Sequence, residues 1–85
     1  MATIAEIKKF LLKYLREAGG LPIPQPQLET VCLGGFVPRP LLSDVHEAMR
    51  GLETDGFIQG ENDDLDPQLV TWTLTAKGQH RAKQL

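Results

Sequence analysis

The chain is poor in the residues that build covalent or metal-held frameworks. Cys32 is the sole cysteine among 85 residues, so no disulfide can close inside it. The two histidines, His46 and His80, lie far apart, in neither an H-E-x-x-H nor a C-x-x-C setting, which removes the common zinc frameworks. Gly34-Gly35 is followed by no G-K-[ST] and is not a phosphate loop. No nucleophile has a base at a readable spacing, and the acids around residues 61–66 sit in a polar stretch too solvated for tuned pKa values. The expectation is a protein that is no enzyme and needs neither cofactor nor metal. Apolar runs fall far short of the ~20 residues that span a bilayer. Nor does the N-terminal stretch lead from a cationic segment into an apolar one with a small-residue cleavage site. With a lone cysteine, these absences point to a reducing cytoplasm and to no membrane partner.

What is present suffices for one small core. With 41% apolar and 24% charged residues, residues 1–85 are expected to form a single domain without covalent help. The charge is unevenly spread. Residues 1–20 hold four cations against two acids, net +2; residues 21–70 hold two against nine, net −7; residues 71–85 hold three cations and no acid, net +3. Both ends are basic and the middle is acidic.

Periodicity divides the chain. Thr3 and Glu6 make a T-x-x-E capping box. Ile4, Ile7, Leu11, Tyr14, Leu15 and Ala18 then form one helical face, with Phe10 at its edge. Leu12 lies off that face, beside Lys8 and Lys9, and reads as a tolerated surface leucine or a contact between copies. Gly19-Gly20 stops the helix. Residues 21–27 hold three of the six prolines and can be neither helix nor central strand. A second helix begins at Gln25 or Pro26, turns Leu28, Val31 and Cys32 inward, and closes at Gly34-Gly35. Cys32 reads as a buried small apolar residue, against the alternative of a reactive thiol. Residues 36–40 form a stiff link in which Phe36 or Val37 plugs the core.

A third helix begins near Pro40 or Leu41. Leu42, Val45, Met49 and Leu52 give it an apolar stripe, flanked by Leu41 and Ala48. Ser43, Glu47, Arg50 and Thr54 lie opposite, with His46, Asp44 and Gly51 nearby. Asp55-Gly56 ends the helix. Phe57-Ile58 opens a strand, and Val70, Trp72 and Leu74 alternate with Thr71 and Thr73 in a second. The polar loop between them is expected to run from Gly60 to Gln68. It lacks the spacing of a calcium loop, despite its acids. Trp72 reads as a core residue over an exposed stacking platform, and Thr75 as the cap of a last helix.

The segments MRGLETDGFI and WTLTAKG, on either side of an acidic hairpin loop, resemble the winged-helix family of helix-turn-helix proteins. The resemblance implies an α+β, mainly α fold: a three-helix core, a two-stranded hairpin wing and a short C-terminal helix. Ile23 would pair with the wing as an edge strand. It also implies double-stranded DNA as partner, with residues 41–55 as recognition helix in a small transcriptional or phage-type regulator. Ser43, His46 and Arg50 would then donate to bases or phosphates, and Arg39, the lysines of helices one and four, among them Lys77, and Arg81 would meet phosphates. A homodimer through helix one or the C-terminal helix would fit the family. Against this stands the acidic middle, where recognition helix and wing would sit, because acids near phosphates cost binding. The alternative is a protein-interaction module whose acidic wing and third-helix face dock a basic partner. The cations of the last helix fit either a phosphate backbone or the helix dipole.

Overall fold

The first helix, α1 (Ile4–Glu17), starts where its capping box puts it. In the computed structural model, which describes residues 2–62, 64–66 and 68–85, the Glu6 amide donates to the Thr3 hydroxyl at 3.1 Å and the Thr3 amide to the Glu6 carboxylate at 3.3 Å. These reciprocal bonds satisfy donors that a first helical turn leaves without a partner. Ile7, Leu11 and Leu15 are buried, and Ile4, Phe10 and Tyr14 are half-buried at their margin. Leu12 departs from the expected surface position: it is only 4% exposed. The last helix, α4 (Ala76–Lys83), packs on α1 and widens its buried face. A stripe counted on one helix cannot reveal a neighbour that arrives from the far end of the chain. Burial within its own subunit also removes Leu12 as a contact between copies.

After Gly19-Gly20 the chain runs extended through β1 (Ile23–Pro24) into α2 (Gln25–Gly34). Pro24 caps α2 and Pro26 lies in its first turn, where a proline forfeits no helical bond. Leu28 and Cys32 are fully buried, Val31 half so. Of the two candidates in the link, Phe36 is the plug. Its ring meets that of Phe10 with centroids 5.3 Å apart and planes at 54°, whereas Val37 is 99% exposed.

The third helix, α3 (Leu42–Thr54), buries Val45, Ala48, Met49 and Leu52 against α1 and α2. Its end is a two-bond C-cap. The Phe57 amide donates to the Leu52 carbonyl at 2.9 Å and the Gly56 amide to the Glu53 carbonyl at 3.0 Å. Gly56 has φ +79°, the left-handed turn this motif needs.

β2 (Ile58–Asn62) and β3 (Val70–Leu74) form the hairpin. β1 adds antiparallel on the other side of β3, giving the sheet order β1-β3-β2. Ile23 therefore pairs with the wing as expected, opposite Trp72. The loop begins later than expected, because Gly60, Glu61 and Asn62 are paired to Trp72, Thr71 and Val70. Ladder bonds come from the backbone, so polar side chains do not end a strand. Asp63 and Pro67 of the expected loop lie outside the described residues.

Trp72 lies in the central strand and is 7% exposed, which excludes the stacking-platform alternative. Its indole N–H donates to the Gln25 side-chain oxygen at 3.2 Å, so the polar edge of the ring is satisfied. Thr75 then caps α4, accepting from the Gly78 amide at 3.0 Å. The fold is α+β and mainly α: a three-helix core, a hairpin wing with a short third strand, and a C-terminal helix, in a winged-helix-like layout.

Candidate recognition face

The outer side of α3 borders an open groove whose other wall comes from Ile4 and Lys8 of α1. Ser43, His46, Glu47, Arg50 and Thr54 line it, so three of the six residues proposed from sequence stand together on adjacent turns. Lys8 was not among them. Its side chain lies over Gly51, where a Cβ would come within 2.7 Å of Lys8 Cε.

The three are not equivalent. Ser43 and Arg50 are exposed. His46 is tied down: its Nε2 lies 2.7 Å from a carboxylate oxygen of Glu29 on α2. This contact bridges two helices between residues 17 positions apart in sequence, and among the described residues no lysine or arginine stands as close to a carboxylate. No local pattern announces such a pair. A histidine held this way has one ring nitrogen committed and only the other to offer a ligand.

The remaining three stand elsewhere. Arg39 is exposed in the link before α3. Lys77 donates from Nζ to the Asp55 carbonyl at 2.7 Å and lies 5.0 Å from the centre of the Phe57 ring. It thus neutralises the C-terminal end of α3. Arg81 donates to Gln84 at 3.3 Å and shares a groove with Lys8, Lys9 and Leu12. Neither Lys77 nor Arg81 lines the α3 groove.

Charge along α3 is mostly negative, while the groove itself sets Lys8 and Arg50 against Glu47 and Asp55. α3 and its cap carry Asp44, Glu47, Glu53 and Asp55 against Arg50, with His46 engaged by Glu29. Glu61, Asp64 and Asp66 add to this from the wing and are exposed. Beside the acids stand apolar side chains open to solvent: Val37 at 99%, Leu41 at 56% and Leu42 at 44%. Leu42 thus departs from the expected inner stripe: it stands in the first turn of α3, where the buried run begins only at Val45.

Cys32 is buried, with no exposed surface, which settles its reading as a core residue. Burial pushes its thiol up to about 11, because desolvation disfavours the thiolate. Among the described residues no three His, Cys, Asp or Glu side chains are grouped to hold a metal ion, and no helix is long and apolar enough to cross a membrane. Comparison with family models, curated proteins and solved structures finds no match for this chain.

Proposed function

We propose that the chain is a winged-helix module for docking another protein, with the outer face of α3 and the wing as its contact surface. The observation that carries this reading is an acid-rich α3 with exposed Leu41 and Leu42 at its start and exposed Val37 in the link before it. Protein interfaces combine an apolar centre with a charged rim. A duplex, which carries a negative charge every ~1.7 Å, is repelled by such a rim. The partner is a protein with a basic surface around an apolar anchor. A lysine-rich amphipathic peptide, titrated into labelled protein and followed by amide chemical shifts, tests the reading. Shifts are expected at residues 41–54 and in the wing. Shifts confined to other elements, or none at low salt, would overturn it.

A second reading is duplex binding with residues 41–55 as recognition helix. The exposure of Ser43 and Arg50, two turns apart on one side of α3, favours it. On that reading a duplex perturbs Ser43, His46 and Arg50, and affinity falls on replacing Arg39 or Arg50. The same titration with a short duplex separates the two.

A further inference from the structure

The cations at the two ends of the chain form one surface. Lys9, Lys13 and Arg16 are exposed and recur along α1 at steps of four and three residues, about one helical turn apart. α4 brings its own cations to their flanks. Lys83 shares a groove with Arg16 and the Gly19-Gly20 turn. Arg81 shares another with Lys8 and Lys9. Lys13 and Arg16 also line the depression beside Ala82 and Leu85.

Three observations limit what this surface can serve. First, none of these cations is in an ion pair among the described residues, where the one close contact of a basic side chain with a carboxylate is that of His46 with Glu29. Of the nearby acids, Glu6 is engaged in the capping box, while Glu17 lines the depression with Lys13 and Arg16 and Asp55 the groove with Lys8, Lys9 and Arg81, so cations still outnumber acids along the seam. Second, helix dipoles account for Arg16, Arg81 and Lys83 in the last turns of α1 and α4. They do not account for Lys9 and Lys13 in mid-helix. Third, the large exposed apolar residues are Leu21, Val37, Leu41, Leu42 and Leu65, and none belongs to α1 or α4. A membrane surface requires an apolar face beside the cations, and a protein partner an apolar centre. A phosphate backbone requires neither.

We propose that the α1–α4 seam binds the sugar-phosphate backbone of nucleic acid without regard to sequence, through Lys9, Lys13, Arg16 and Lys83. From Lys9 to Arg16 the cations span about 10 Å of helix, comparable to about three phosphate steps of one strand. The grooves holding Lys13, Arg16 and Lys83 share no lining residue with the α3 groove, and the groove holding Lys9 shares Lys8 and Asp55 with it. The backbone contact and the docking face are thus centred on different elements and meet only at Lys8 and Asp55, and the proposal does not depend on the protein-docking reading.

The test is fluorescence anisotropy of a labelled duplex of arbitrary sequence over a salt series. Four phosphate contacts predict an affinity loss of about a hundred-fold between about 50 and 200 mM salt. The variant K9Q/K13Q/R16Q/K83Q is expected to bind at least about tenfold more weakly at low salt, with a flatter salt dependence. The variant R39Q/R50Q is expected to bind like the parent. Glutamine keeps helix propensity, and circular dichroism checks that both variants fold. No duplex binding at low salt overturns the proposal, as does a quadruple variant that binds like the parent. A loss confined to R39Q/R50Q places the duplex on α3 and also overturns it. Two controls guard the choice of ligand. Phosphatidylserine vesicles that bind where the duplex does not would assign the seam to a membrane surface. Light scattering that shows salt-sensitive self-association without duplex binding would assign it to the acidic face of a second copy.

Discussion

The two sides of α3 face different demands. Val45, Ala48, Met49 and Leu52 on the inner side are at most 2% exposed. Ser43, Glu47, Arg50 and Thr54 on the outer side are open or line a groove. The inner side is constrained by volume, because close-packed interiors register the loss of a single methylene. The outer side is constrained only by what it meets. The same thirteen residues therefore separate stability from recognition, and substitutions can test how cleanly.

The largest effect is expected inside. Leu52→Ala should cost about 2–5 kcal/mol, a large share of the ~5–15 kcal/mol that holds a domain together. Urea or thermal unfolding measures it, and a cost below about 1 kcal/mol would mean the inner side is not sealed. Gly78→Ala comes next. A Cβ there would run into the Phe57 carbonyl oxygen and come within 2.8 Å of Leu74. Destabilisation of about 1–3 kcal/mol is expected, opposite in sign to what alanine's better helix propensity alone predicts.

Thr75→Val should lose about 1–2 kcal/mol. It removes the α4 cap and also the hydroxyl that donates to the Gly56 carbonyl at 2.6 Å. Cys32 probes how well the interior excludes water. Its thiol rises from an ordinary 9.0 to about 11 on folding. Above pH 9 the unfolded chain releases this proton while the folded chain holds it. The neutral thiol's contribution to stability is therefore complete below pH 9 and shrinks as pH climbs towards 11, by at most about 1.4 kcal/mol per unit. Cys32→Ala should lack this slope, and alkaline denaturant titrations of the two proteins compare them. The smallest stability effects belong outside: Glu47→Ala or Arg50→Ala should stay within about 0.5 kcal/mol of the parent in the same melts.

Much of the fold was legible because it is written locally. The Thr3–Glu6 box, the Val45–Met49–Leu52 stripe, the Asp55-Gly56 stop and the alternation around Trp72 involve residues two to four apart. What was missed depends on elements distant in sequence. Leu12 is buried where distant parts of the chain meet α1, beside Leu52, Phe57, Arg81 and Leu85, and Phe36 rather than Val37 turns inward because Phe10 is there to meet it. The strand through Gly60 and Glu61 depends on its partner across the hairpin. For the candidate face, helical spacing placed Ser43, His46 and Arg50 together. It said nothing of Glu29, which faces His46 from another helix, or of Lys77, whose ammonium is spent on the end of α3.

The chain enters and leaves its ribbon at one knot. The Thr75 amide donates to the Phe57 carbonyl at 3.1 Å, and the Thr75 hydroxyl reaches across to the same turn. The strands 58–62 and 70–74 are thus fastened at their base, with Trp72 holding β3 to the body, so that the far end of the hairpin is the part that can be lengthened or exchanged with little strain passed to the helices. Closing a longer loop grows costlier only logarithmically, about 0.6 kcal/mol for each doubling. The wing is accordingly the part of this scaffold where new binding loops can be grafted while the three-helix body stays as it is.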